Sequence, residues 1–185
     1  MRGFLGRSGV GPCAESLYNE IVAQARQPGF YRHLGVPDTA LGRFEMISLH
    51  AFLVLRRIKA MGARGRELGQ QVHDFMFADM DRNLREMGVG DLGVGKRVKM
   101  LASNLYGRID AYDSALMHDD DRLVAALRRN LYATAAPADA QIAAMAAYLR
   151  REAEALDGSS DEVIFSGVVR FGAPPGGACE RGERT

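Results

Sequence analysis

The run GVGDLGVGK, from Gly88 to Lys96, holds the residues of this chain that could bind a phosphate group. It matches the G-x-G-x-x-G pattern of dinucleotide sites, and it also matches the glycine and lysine positions of a P-loop. Both motifs work where a strand delivers the loop to the amides at a helix N-terminus. Here a helical pattern precedes the run, and Arg97 replaces the Ser or Thr that would ligate magnesium. We therefore predict a helix-to-helix joint that binds no nucleotide, and we expect no cofactor.

Three basic residues follow this joint. Lys96, Arg97 and Lys99 lie in the first turn or so of a helix predicted to begin near Val94. The positive end of a helix dipole disfavours cations there by about 0.3–1 kcal/mol, and an anion would relieve this repulsion. Two explanations stay open. The cations are either paired with a neighbouring acid, such as Glu86 or Asp91, or simply solvated, or else they bind an acidic partner surface or a lipid phosphate.

A polar row precedes the joint. Asp79, Asn83 and Glu86 are spaced by four and three residues, so they share one face of a helix, while Asp81 and Arg85 form an i,i+4 pair. These side chains, with Asp91 and the three cations, are the candidates for contact with a partner. The polar row could instead stabilise the fold through contacts within the bundle.

Two cationic or titratable side chains lie on an otherwise apolar helix. His50 and Arg57 are seven residues apart and share a face with Met46 and Leu53. A buried positive charge needs a partner, and the acidic row is the nearest one by type. We predict a structural polar network, with direct partner contact as the alternative, that contains His50, Arg57, Asp79, Asn83 and Glu86.

Motifs for metal binding and hydrolysis are missing from the sequence. The four histidines form no His-x-x-x-His or Glu-x-x-His pair, and there is no G-x-S-x-G elbow. Cys13 and Cys179 lie near opposite ends, in flanks that look loose, and are predicted to be free thiols. We expect no metal site, and we expect that the protein is not an enzyme.

Composition describes a folded chain without a strong electrostatic preference. Of 185 residues, 47% are hydrophobic and 25% are charged, and the net charge is +1. This balance does not favour nucleic acid as a partner. No apolar stretch approaches the roughly 18–20 residues that span a bilayer, and the N-terminus lacks the continuous apolar region of a secretory signal. We expect a cytoplasmic protein.

Helical periodicity predicts an all-α, single-domain bundle of about six main helices. The segment from Arg43 to Met61 is apolar almost all round, and such a helix belongs at the centre of a bundle. Pro137 suits the first position of a last helix. The predicted helices are Ala14 to Arg26, Arg43 to Met61, Arg64 to Met87, Val94 to Met117, a helix from Asp119–Asp121 through Leu131, and Pro137 to about Leu156.

The chain divides after the last predicted helix. Residues 12–157 form the helical domain, and residues 158–185 form a C-terminal tail that is glycine-rich and β-branched without helical period. We predict an extended strap over the bundle, followed by disorder from about Pro174.

The sequence resembles the ubiquinol-cytochrome c reductase assembly chaperone family in its alphaproteobacterial form. The residues that carry the resemblance are FYRHLGVPDTALGRFEMISLHAFLVLRR, FADMDRNLREMGVGDLGVGKRVK and YGRIDAYDSAL, and the similarity extends from about Leu17 to Leu131. It implies a noncatalytic factor that binds cytochrome b, or other subunits of the cytochrome bc complex, and assists biogenesis of that respiratory complex. The family-like surface would comprise Asp38, His50, Arg57, Asp79, Asp81, Arg85, Glu86, Asp91, Lys96 and Lys99.

For the cytoplasmic protein that the sequence predicts, we also expect transient contact with the inner membrane surface. Two other classes of function stay open beside the assembly role, and one of them is an enzyme with an unrecognised site. The basic joint could make the chain a peripheral helical module that binds lipid or another anion at that membrane.

Overall fold

The computed structural model describes residues 10–86 and 91–176, apart from the side chains at 91, 92, 94, 96–98, 102 and 104. These ranges contain eight helices and no strand, and six of the helices exceed ten residues. The predicted all-α bundle of about six main helices is confirmed. The helices are α1 (Val10–Ala25), α2 (Pro28–Arg32), α3 (Ala40–Lys59), α4 (Gly62–Glu86), α5 (Asp91–Leu116), α6 (Asp120–Asn130), α7 (Asp139–Asp157) and α8 (Asp161–Phe165).

Helix α3 is the centre of the bundle, as its apolar circumference predicts. Thirteen of its twenty residues are buried, including the uninterrupted run from Ser48 to Leu55. It packs against α1, α4, α5 and α7. Thr39 caps its N-terminus by accepting a hydrogen bond from the Gly42 amide at 3.1 Å.

The start of α5 differs from the predicted one. The helix begins at Asp91 rather than near Val94, so Gly93 and Gly95 lie inside it. With 3.6 residues per turn, Lys96 is therefore in the second turn and Lys99 in the third. The placement of these cations in the first turn was wrong. Since the dipole effect falls off within that turn, it gives no reason for an anion to bind there.

The last main helix also begins later than predicted. Helix α7 starts at Asp139, and Ala138 rather than Pro137 precedes it as the N-cap. The Ala138 amide donates to the Gln141 side-chain oxygen at 2.9 Å, which satisfies a group that Pro137 could not have offered. Gly158 follows the end of the helix.

The tail is extended only in its later part. Helix α8 was not predicted, because this part of the tail shows no helical periodicity. It is a five-residue helix, and the Ser160 hydroxyl caps it by accepting a hydrogen bond from the Val163 amide at 3.4 Å. Gly167, with φ of +80°, then turns the chain into the predicted strap. Val169 of the strap is buried against the bundle. The predicted disorder falls largely on residues 177–185, which lie outside the described ranges.

Cys13 is not in a loose flank, which corrects the prediction for this end of the chain. It is a buried free thiol in α1, and its Sγ donates to the Ile164 carbonyl at 3.3 Å. This contact joins α1 to α8. Cys179 lies outside the described residues.

A buried ion pair joins α3 to α5. Both oxygens of Glu45 accept hydrogen bonds from the Arg108 guanidinium, and the Glu45 side chain is only 3% exposed. Burial raises the pKa of Glu45, and the hydrogen bonds and charge of Arg108 oppose that shift. The pair therefore exists because each partner compensates the other's desolvation.

The crossing of α3 over α4 predicts opposite outcomes for two glycines of α4. A Cβ at Gly65 would meet the Ile58 carbonyl oxygen at 2.1 Å, whereas one at Gly69 would lie at an ordinary 3.5 Å from the Ile58 side chain. We expect Gly65→Ala to lower the free energy of unfolding by about 1–3 kcal/mol through overpacking. Gly69→Ala is the matched control, and its better helix propensity makes it neutral or stabilising. Urea denaturation of both variants measures this, and equal stabilities would contradict the close crossing.

Candidate partner-binding surface

The C-terminal half of α4 carries the predicted acidic row. Asp79 is the most buried member, with a side chain only 15% exposed. Its carboxylate accepts a hydrogen bond from the Tyr18 hydroxyl of α1 at 2.9 Å and is paired with Arg82 one turn on. Burial, followed by the hydrogen bond to Asp79, raises the pKa of Tyr18, so the hydroxyl stays protonated and donates. The main role of Asp79 is therefore structural, because its hydrogen bond with Tyr18 connects α4 to α1.

The remaining members of the row face solvent. Asp81 accepts from Arg85 at 2.6 Å in the predicted i,i+4 pair, and both side chains are at least two-fifths exposed. The Asn83 amide donates to the Asp79 carbonyl at 2.8 Å along the helix, and Glu86 is exposed. Exposed pairs of this kind contribute little to stability, so this face is available for contact with another molecule.

The predicted network between α3 and the acidic row is wrong. Arg57 donates to the carbonyls of Leu156 and Ser159 and to the Asp161 carboxylate at 2.6 Å, so its partner lies at the start of α8. The prediction that the buried charge of Arg57 needs a partner was correct. The tail has no helical periodicity that would have indicated a helix there, and the acidic row was chosen by residue type alone.

His50 belongs to a separate buried network that reaches the strap. Its Nδ1 lies 2.8 Å from the Met46 carbonyl, and its Nε2 lies 2.9 Å from the Tyr148 hydroxyl. Gln24 donates both to that hydroxyl and to the Gly172 carbonyl of the strap. Complete burial lowers the pKa of His50 to about 4, so the ring is neutral at physiological pH. His50 therefore stabilises the bundle and is out of reach of a partner.

The basic residues of α5 are described only in part. Lys99 is exposed, and Met100 beside it has 55% of its surface exposed. The side chains of Asp91, Lys96 and Arg97 lie outside the described residues. The exposed pair of a cation and a methionine suits contact with apolar segments of varied shape.

An aromatic contact between α4 and α5 escaped the sequence analysis. His73 stacks on Phe77 with ring centroids 6.0 Å apart, and Tyr106 of α5 lies 5.6 Å from the same imidazole. Tyr106 is 52% exposed, so it is a second exposed apolar side chain of α5 besides Met100. The i,i+4 spacing of His73 and Phe77 could have indicated the stack, but the pairing with Tyr106 depends on how the two helices cross.

Asp38, which the resemblance placed on the surface, is exposed and paired with Arg43 at 2.7 Å. Within the described part of the chain, no group of three or more metal-ligating side chains comes together. None of the helices in those ranges has the length and apolarity that crossing a membrane would require.

Fold and surface together define an all-α bundle with charged and apolar helix faces open to solvent. Residues 32–171 match the model of the ubiquinol-cytochrome c chaperone family. The chain belongs to that family.

Similarities to individual proteins agree with this assignment. The crystal structure of the Cbp3 homolog from Brucella abortus matches with a TM-score of 0.81 and 40% identity, covering 89% of this chain and 91% of that one. Ubiquinol-cytochrome c reductase complex assembly factor 1 of Mus musculus is 27% identical over 84% of this chain and 53% of its own length. Protein CBP3, mitochondrial, of Saccharomyces cerevisiae is 30% identical over 82% and 46%. The chain spans about half the length of these curated relatives.

Proposed function

We propose that this protein is a noncatalytic assembly chaperone that binds cytochrome b and assists assembly of the respiratory cytochrome bc complex. The observation that carries the proposal is the family match over residues 32–171. Relatives named as assembly factors of the ubiquinol-cytochrome c reductase complex support it. We further propose that the protein acts in the cytoplasm, at the cytoplasmic face of the inner membrane, where a newly made membrane subunit would be within reach.

The exposed face of α4 and α5 suits a client that is partly apolar and partly charged. Asp81, Arg85 and Glu86 supply charge along α4, while Met100 and Tyr106 supply apolar area on α5. Methionine and tyrosine both adapt to partners of varied shape, because one is flexible and the other combines an apolar ring with a polar tip. This face is therefore our candidate for client contact.

A pull-down in gentle detergent tests the proposed function. The tagged full-length chain is recovered from native membranes of the organism that encodes it, and co-purified proteins are quantified by mass spectrometry. We expect cytochrome b to be the most enriched protein relative to an equally tagged, unrelated helical bundle. Flotation with liposomes of anionic phospholipid is measured in parallel.

The two assays separate the proposed function from the lipid-binding alternative. Enrichment of cytochrome b without saturable flotation supports a chaperone. Flotation with the anionic liposomes and no enrichment of any subunit of the bc complex would instead make the chain a peripheral lipid-binding module, and our proposal would fail.

A further inference from the structure

Helices α1 and α4 enclose a surface groove that the proposed client face does not include. Gly11 lies next to Gln71, and Tyr18 lies next to Asp79, so the two helices run parallel. The groove between them has a volume of about 590 Å³. It is lined by Glu15, Tyr18, Asn19, Val22 and Arg26 of α1 and the segment that follows it, and by Phe75, Ala78, Asp79 and Arg82 of α4.

The floor of the groove contains apolar side chains among polar ones, and its two ends differ in charge. Val22 and the half-buried Phe75 contribute apolar surface to it. Glu15 lies at one end and Arg26 at the other, eleven residues away, which corresponds to about 16 Å along a helix. A groove of this length accommodates about three turns of another helix, whose apolar stripe would cover the floor.

Arg26, at one end of the groove, is a charge without an ion pair among the described residues. Arg82 is held by Asp79 and also lies near Glu86, whereas Arg26 forms no ion pair with any residue in the described ranges. Glu15 at the opposite end likewise has no ion pair with those residues. An occupant that brings a carboxylate to Arg26 and a cation to Glu15 would complement both ends.

Helix dipoles fix the direction of such an occupant. Because α1 and α4 are parallel, the negative ends of both dipoles lie towards the Arg26 end of the groove. A third helix packs favourably when it runs antiparallel to both. Its N-terminal turn, where acidic residues are favoured, then lies beside Arg26, and its basic C-terminal turn lies beside Glu15.

We infer that the groove between α1 and α4 is a docking site for an amphipathic helix of another protein. The helix has about three turns, runs antiparallel to α1 and α4, and carries an acidic residue at its start and a basic one at its end. The inference concerns a second surface and stands whether or not the client is cytochrome b.

Site-specific photocross-linking tests the docking site in the full-length chain. Benzoylphenylalanine replaces Phe75 near the Glu15 end, Val22 near the Arg26 end, or the exposed Ala140 of α7 as a control position. Cross-links are made in intact cells and mapped to peptides. We expect products from Phe75 and Val22 that map to opposite ends of one amphipathic helix, with Val22 reaching its acidic N-terminal half.

Charge reversal provides the second readout. Arg26→Glu should lower the cross-linking yield at Val22 about tenfold, because it sets like charges against each other across the interface. Arg66→Glu, an exposed position of α4 outside the groove, is the matched control and should leave the yield unchanged. The melting temperature of both variants is compared with that of the wild type. If Arg26→Glu unfolds, Arg26→Gln takes its place.

Several results would overturn the docking site. The first two are cross-linking yields at Phe75 and Val22 no higher than at Ala140, and products formed only with phospholipid or with a second copy of this chain. The others are a bound helix that runs parallel to α1 and α4, and a yield at Val22 that Arg26→Glu does not change. Loss of groove cross-links while cytochrome b still co-purifies would reject the docking site alone. A mapped helix from a protein outside the bc complex would support the docking site, and the pull-down would then test the proposed function separately.

Discussion

Replacing Arg108 by Met is expected to lower the free energy of unfolding by about 3–5 kcal/mol, because it leaves the Glu45 carboxylate buried without its partner. Methionine keeps an apolar side chain of similar reach, whereas it lacks the guanidinium, which pairs with Glu45 and lies 5.9 Å from the centre of the Phe44 ring, so the loss reports on charge. For a chain of this length, such a loss corresponds to a fall in Tm of roughly 6–20 °C. Chemical denaturation and thermal melting at pH 7 both measure it.

The pH dependence identifies Glu45 as the cause. Without Arg108, nothing opposes the rise in the pKa of Glu45 that burial produces. A carboxyl group whose folded pKa exceeds its unfolded value is most stabilising below the unfolded pKa and loses that contribution as pH rises. The deficit of Arg108→Met should therefore be smaller near pH 4 than at pH 7.

A double variant is the control for this pair. Glu45→Gln combined with Arg108→Met removes both charges, and it should recover part of the stability that Arg108→Met loses. An equal loss in the single and double variants at every pH would show that packing, not the charge of Glu45, sets the stability of this site.

His50 is expected to make the protein sensitive to acid. Its folded pKa of about 4 lies below the ordinary value of 6.5, so the unfolded state binds more protons between these two pH values. The neutral ring thus stabilises the fold fully above the unfolded pKa, and this contribution is lost as pH falls towards 4. At pH 5 the loss amounts to about 2 kcal/mol and at pH 4 to about 3 kcal/mol.

His50→Gln should remove this part of the pH dependence. The amide cannot take up a proton, yet it can still accept a hydrogen bond from Tyr148. Urea denaturation of the wild type and the variant at pH 7, 5 and 4 gives the free energy of unfolding of each, and the slopes of these free energies against pH are compared. Parallel stability curves would mean that the ring is hydrated or already charged in the folded state.

The central helix shows why much of the fold could be predicted. A helix that is apolar all round has one favourable position in a bundle, so α3 could be assigned to the core from its residues alone. The acidic start of α6 was equally readable, because Asp119 is a favourable N-cap whose side chain accepts from the Arg122 amide at 2.9 Å. Helix α8 was missed, because a single turn leaves no periodicity to detect.

The candidate surface shows where sequence reasoning stops. Spacing placed Asp81 and Arg85 together because their pairing is local to one helix. The partners of Asp79 and Arg57 are Tyr18 and Asp161, which come from helices more than sixty residues away along the chain. Nothing in a single sequence ranks such pairs, because many carboxylates and hydroxyls have equivalent chemistry. The groove between α1 and α4 was hidden for the same reason.

The most direct test of the proposed function is the amount of assembled cytochrome bc complex in cells from which this chain has been removed. The measurement is a native gel of detergent-solubilised membranes, probed for cytochrome b and calibrated against another respiratory complex. We predict that cytochrome b and the assembled complex fall together while the reference complex is unchanged, and that the wild-type chain restores both. Normal levels of assembled bc complex without the chain would contradict its role as an assembly chaperone.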